Sequence, residues 1–222
     1  IRDRIIVSDI KAYEGEEDPA VFLESAAGDI TAMITSLRGI LQEIEDTHFK
    51  ALSERFLADH HFMELFKKAP AAKNFHHNYV GGLLEHTLSV CRMSLHAAEQ
   101  YGDLDRDLLV TGSFLHDIGK IREFKYNRMI EYTDEGRLLG HLVMGISMVD
   151  EKLAKIRQFP GEKALLLKHL ILSHHGQYEF GSPKRPKFLE AFALHLIDDL
   201  DAKMNGLRRY ICLLYTSPSP RD

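Results

Sequence analysis

Apolar residues recur at helical spacing along most of the chain. From Asp29, whose short carboxylate suits an N-cap, Ile30, Met33, Ile34, Leu37, Ile40, Leu41 and Ile44 keep the period of one buried helical face. Phe49, Leu52 and Phe56 predict a second helix, and Phe62, Leu65 and Phe66 a third that Pro70 closes. These faces read as core or packing surface and carry no chemistry. Further helices are expected over 83 to about 101, ended by Gly102, and over about 105–118, 138–156, 162–175 and 187–211. A short strand at 129–132 interrupts them. The start differs: Ile5, Ile6 and Val7 between polar flanks predict a strand over 2–10, and the acidic stretch 14–19 reads as a linker. A lone strand is unstable, so it docks on the succeeding helices or is the remnant of a lost domain. The pattern predicts an all-α fold.

Composition narrows the class. The 222 residues are 45% hydrophobic and 27% charged, the balance of a soluble globular protein long enough for one good core, or for one domain plus part of another. No apolar run approaches the ~20 residues of a membrane span, so no membrane association is expected. Two cysteines, Cys91 and Cys212, make no disulfide framework, which fits a reducing cytoplasm. The net charge of −5 argues against a broadly basic nucleic-acid-binding surface but leaves room for a local basic channel. Thirteen histidines are many for this length.

The chain opens on Ile1 rather than Met, so it is expected to begin inside a longer protein. Its last eleven residues, Cys212 to Asp222, lose helical periodicity, and Pro218 and Pro220 forbid a helix there. The string resembles a reading frame through a sequencing-library adapter, and 212–222 is expected to be a non-native tail.

The histidines acquire meaning together. Phe114-Leu115-His116-Asp117-Ile118-Gly119-Lys120 places a histidine and an aspartate at the end of an apolar helix. Neighbouring side chains on a helix point about 100° apart, so both reach one metal only where the helix ends. Gly119, in a left-handed conformation, is expected to supply that end. His86, His141, His174 or His175, and Asp198 join them from other helices. Imidazole and carboxylate suit Mn, Fe, Co, Ni or Zn, and the scarcity of cysteine disfavours a closed structural zinc site. Asp117, with ligand candidates on both sides, is the natural bridge between two cations, which together lower the pKa of a water and clamp a phosphoryl displacement. Lys120, one turn past His116, is placed to offset charge on a phosphate oxygen.

His86…His116-Asp117…Asp198 resembles the HD-domain metal-dependent phosphohydrolases. APAAKNFHHNYVGGLLEHTLSV, FLHDIGKIREF, YTDEGRLLGH, HLILSHHGQYEFGSPKRP and LIDDLDAKMN, spread over about 70–205, are similar to the YhaM-type 3′→5′ exoribonucleases. The resemblance implies an HD-domain helical bundle. It makes His86, His116, Asp117 and Asp198 the ligands of one metal, and Asp117, His141 and His174 those of a second, with His175 alternative or additional. Members carry an N-terminal OB-fold RNA-binding domain, of which residues 1–12 would be the last remnant. The expected organisation is then that remnant, a linker over 13–28, a helical lead-in over 29–69, the HD domain over 70–211 and the tail.

The implied function is a metal-dependent phosphodiesterase, with two divalent ions (manganese first), releasing nucleoside monophosphates from the 3′ end of single-stranded RNA. Asp117 and Lys120 would be catalytic. A nucleotide or cyclic-nucleotide phosphohydrolase is the alternative, and the absence of Gly-Tyr-Pro after His174-His175 weighs against its cyclic-dinucleotide form. A non-catalytic metal-containing nucleotide- or RNA-binding module is the reading from another class. Around the centre, Asn74, His76 and His77 either touch substrate or cap a helix. Lys184, Arg185 and Lys187, stiffened by Pro183 and Pro186, either steer a polyanion or form a solvated loop. Tyr178 and Phe180 are candidates for base stacking or for core. Asp201 and His195 read as supports for the ligands rather than ligands.

Overall fold

A computed structural model describes residues 9, 11, 23–26, 28–73, 77–126 and 129–216. The strand expected over 2–10, with the OB-fold remnant it represents, and the acidic linker lie almost wholly outside these residues, as does Asn74. Ten helices are described: α1 (Ile30–Gln42), α2 (Thr47–Leu57), α3 (His60–Lys68), α4 (Gly82–Gln100), α5 (Arg106–Leu115), α6 (Lys120–Glu123), α7 (Asp134–Leu138), α8 (Gly140–Leu153), α9 (Gly161–Ser173) and α10 (Leu189–Thr216). Between α6 and α7, β1 (Phe124–Tyr126) and β2 (Ile130–Tyr132) form an antiparallel hairpin. The fold is all-α.

The helix starts follow local chemistry. Asp29 accepts from the backbone N–H groups of Thr31 (2.7 Å) and Ala32 (3.4 Å), and Asp46, Asp59 and Asp105 cap α2, α3 and α5 in the same way. Each satisfies donors that the first helical turn cannot pair internally.

One apolar core runs through these helices. Phe56, Phe62, Phe66 and Phe114 meet with ring centroids 5.0–6.5 Å apart, so α2 and α3 grip α5 just ahead of the His116-Asp117 pair. Leu83, Leu84, Leu109, Leu115 and Leu170 are fully buried beside them. The lead-in helices therefore pack in the same core as α4, α5 and α9.

Three boundaries differ from the expected ones. The 105–118 helix stops at Leu115, and His116 to Gly119 form a turn before α6. Gly119 is right-handed there (φ −62°), not left-handed. Glycine is needed for a different reason: a Cβ at Gly119 would collide with the carbonyl of His141, so the residue lets α8 approach. The 138–156 helix is divided at Leu139, because Gly140 takes a left-handed backbone (φ +72°). Finally, α10 continues past Ile211 to Thr216, since Cys212 to Thr216 contains neither proline nor glycine to stop it.

Candidate metal centre

His86 on α4, His116 at the end of α5, Asp117 in the turn beyond it, His141 on α8, His174 and His175 past α9 and Asp198 on α10 converge. They form two groups. His86, His116 and Asp198 place one ligand atom each within 4.8 Å of one another, and so do Asp117, His141, His174 and His175.

Asp117 faces both groups. Its Oδ2 lies 3.6 Å from His86 Nε2 and 3.4 Å from His116 Nε2. Its Oδ1 lies 3.5 Å from the Nε2 atoms of His141 and His174. On the first side, Asp198 Oδ1 is 3.1 Å from His86 Nε2 and 3.6 Å from His116 Nε2.

The imidazoles are aimed by their other nitrogen. His116 Nδ1 donates to Ser113 O and His174 Nδ1 to Ile171 O, both at 2.8 Å, each three residues back at a helix end. His141 Nδ1 donates to Glu123 Oε1 (3.2 Å), which also accepts the His141 backbone N–H (3.0 Å). His86 Nδ1 donates to Asp201 Oδ2 (2.7 Å), and His175 Nδ1 to Phe180 O (2.9 Å). Such bonds fix the tautomer, leave Nε2 as the inward lone pair and raise its basicity.

Burial and charge also suit a cation. Asp117 and Asp198 are deprived of water, which pushes their carboxyls up, yet Lys120 and His116 hold Asp117, and His116 and His86 hold Asp198, well below the usual range. His116 is pushed down by burial but raised, to about 10, by the carboxylates of Asp117 and Asp198. Burial keeps His175 neutral, at about 3, and depresses His174 in the same direction. The ionised carboxylates and the neutral His174 and His175 are in the protonation states that ligation requires. His86 is pushed down by burial but raised by Asp198 and Asp201, so it and His116 must each give up a proton to ligate. Buried Asp117 Oδ1 and His141 Nε2 make no hydrogen bond. An orphaned acceptor facing an orphaned imidazole nitrogen is a donor set that fits a cation and not a finished polar network.

The surroundings differ in part from expectation. Lys120 is buried, with Nζ 2.5 Å from Asp117 Oδ2, and it lines a cavity of about 230 Å³ with His175, Phe180, His195, Asp198, Asp199 and Ala202. His77 does not face this cavity. Its ring is buried behind His86, with Nε2 3.0 Å from Asp201 Oδ2 and Nδ1 3.0 Å from Tyr79 Oη. Asp201 also accepts from Ser89 Oγ, which makes it the hub of a support beneath His86. His195 donates Nδ1 to His174 O (2.8 Å). Lys184 and Arg185 are exposed on the loop before α10, with the Arg185 guanidinium 5.1 Å from the centre of the Tyr178 ring. A larger cavity, about 710 Å³ between 101–104 and 186–196, contains none of the candidate ligands.

Sequence reasoning missed Glu123 and Ser89. Glu123 sits one turn after Lys120 in the Gly119–Phe124 run, a spacing that puts it on the same side of a helix. A backbone carbonyl such as Ser113 O has no sequence signal.

The HD domain model matches residues 83–203, and a second model, whose description names a helicase, matches 34–103, under half of the chain. The chain is 39% identical over 210 residues to the 3′-5′ exoribonuclease YhaM of Bacillus subtilis (strain 168), covering 94% of this chain and 66% of that protein. It is 42% identical over 188 residues to the protein of the same name from Shouchella clausii, covering 85% and 58%. With that of Bacillus velezensis the identity is 38% over 205 residues, covering 91% and 64%. The chain thus spans between 58% and 66% of the length of these relatives. No solved structure matches with comparable significance. Because the matched segment is over half of the chain and contains every histidine and aspartate of the two groups, the chain belongs to the HD domain family, whose members bind divalent metals.

Proposed function

We propose that the chain is the hydrolytic part of a two-cation phosphodiesterase that shortens single-stranded RNA from its 3′ end and releases nucleoside monophosphates. The observation that carries this reading is the division of Asp117, with Oδ2 toward His86 and His116 and Oδ1 toward His141 and His174. His86, His116, Asp117 and Asp198 would hold one cation, and Asp117, His141 and His174, with His175 beside them, the second. Manganese fits the mixed nitrogen and oxygen donors. The exoribonuclease relatives support RNA as the substrate.

When bound, the cation pair supplies Lewis acidity, which lowers the pKa of water and offsets charge on the phosphate. The protein supplies the rest. Asp117 and Asp198 concentrate negative charge at the floor, and Glu123 and Asp201 hold His141 and His86 in register. Lys120, on the cavity wall beside Asp117, is positioned to donate to a non-bridging phosphate oxygen as charge develops there. Lys184 and Arg185 add positive charge on the exposed loop before α10 and draw a polyanion inward. Water adds to phosphorus, the bond to the preceding nucleotide's 3′ oxygen breaks, and that oxygen takes a proton.

Incubation with Mn²⁺ and a labelled single-stranded RNA is expected to shorten it stepwise from the 3′ end. Turnover confined to mononucleotides would replace this reading with a nucleotide phosphohydrolase. Full metal loading without turnover of either substrate would leave a binding module.

A further inference from the structure

We infer that Phe180 is the stacking platform for the base of the 3′-terminal nucleotide, an assignment that rests on the RNA reading above. The cavity beside Lys120, His175 and Asp198 measures about 230 Å³, below the ~300–1,000 Å³ of pockets that enclose a small ligand. It accommodates a phosphate and part of a ribose, and leaves the base at its rim. Phe180 lines the cavity and is itself 67% exposed, although a phenylalanine with no partner gains by burial.

The exposed ring stands on a fixed backbone. Phe180 O accepts from His175 Nδ1 at 2.9 Å, and Phe180 N–H donates to Gln177 O at 3.2 Å. Gly181 reverses the chain at φ +83° with its N–H on Tyr178 O. The buried Ser182 Oγ then lies 2.9 Å from Leu172 O and 2.6 Å from Lys184 O. The turn is tied directly to a candidate metal ligand, so ring and reacting centre keep their spacing. Tyr178, two residues earlier, already carries Arg185 on its ring. Among the described residues no aromatic ring or cation lies on Phe180. An apolar ring with no hydrogen-bonding group stacks on any base, so the terminal nucleotide is gripped without regard to its identity.

The test uses a short RNA whose 3′-terminal base is 2-aminopurine and whose last linkage is a hydrolysis-resistant phosphorothioate, added to the Mn²⁺-loaded chain. Binding is expected to quench the fluorescence. Phe180→Ala should lose the quenching and weaken binding by roughly 5- to 150-fold, the range that base–aromatic stacking spans. Phe180→Trp should keep both, and an RNA ending in an abasic ribose should bind wild type and Phe180→Ala alike. Equal quenching and affinity for wild type and Phe180→Ala would overturn the assignment, as would failure of the wild type to bind. Unmodified RNA assayed in parallel separates the two levels. Shortening of that RNA with no effect of Phe180→Ala on binding removes the platform alone. Quenching that depends on Phe180 without shortening keeps the platform and removes the exoribonuclease.

Discussion

His86 is held from behind by Asp201, whose Oδ2 accepts from His86 Nδ1 at 2.7 Å one helical turn beyond Asp198. A single helix thus supplies both a candidate ligand and the group that orients another. Asp201→Ala is expected to lower metal affinity about 10- to 100-fold, the usual effect of removing such a support. Asp201→Asn, which keeps an acceptor, should lose less. Metal titration of the two variants checks this, and equal affinity in Asp201→Ala and wild type would show that Asp201 does not orient His86.

Asp117 and Lys120 form a buried ion pair. Asp117→Ala should abolish turnover, lower the bound metal, and cost about 3–5 kcal/mol of stability, because it strands a buried ammonium. The double variant Asp117→Ala/Lys120→Met should recover much of the stability and none of the activity. Denaturant unfolding with metal analysis separates the two effects. Turnover at the wild-type rate in Asp117→Ala would remove the bridging role.

Phe114 connects the core to the site, packed on Phe56, Phe62 and Phe66 two residues before His116. Phe114→Ala should destabilise by about 3–5 kcal/mol and displace His116, so that metal binding weakens although no ligand is altered. Urea unfolding and metal titration would report this together.

Acid sensitivity is expected from two capping pairs. Lys152 and the Phe62 N–H hold the Asp59 carboxyl below its ordinary range. Burial pushes Asp46 up, but Lys163 and the N–H groups of Phe49 and His48 outweigh it and leave it lowered. A depressed folded pKa contributes stability above the unfolded value of ~3.9. That contribution disappears as the pH falls through the folded values. Both carboxylates are partly exposed, so each effect is modest. Asp59→Asn should be less stable than wild type at pH 7, with the difference shrinking below about pH 4; melting curves at both pH values test it.

The longer helices were legible because their apolar faces repeat at helical spacing, and α1 also because Asp29 marks its start. That the candidate ligands converge was legible because His116-Asp117, His141 and His174-His175 all fall at or beside helix ends, where adjacent side chains can converge. What the chain concealed depends on three-dimensional approach. Gly119 looks like a helix terminator, but the constraint on it comes from the His141 carbonyl, a neighbour twenty-two residues away in sequence. For His77 the polar loop leaves substrate contact and helix capping equally open, yet α10 supplies Asp201 and Asn205 to hold it inside, with its N–H on Asn205 Oδ1 at 3.0 Å. The division at Gly140 escaped detection because leucines flank it and keep the periodicity going.

The back-bonding of His116 to Ser113 O and of His174 to Ile171 O has a consequence for assembly. Each ring is braced by the carbonyl of its own helix end, so its direction is settled once that end has formed. On the proposed two-cation reading, the ions would enter a receptacle already shaped for them instead of gathering a loose chain around themselves. Stripping with a chelator should silence the protein while its far-ultraviolet circular dichroism stays helical, and returning the cation should restore turnover without a refolding step. Collapse of the helical signal on chelation would mean that the ions shape the receptacle.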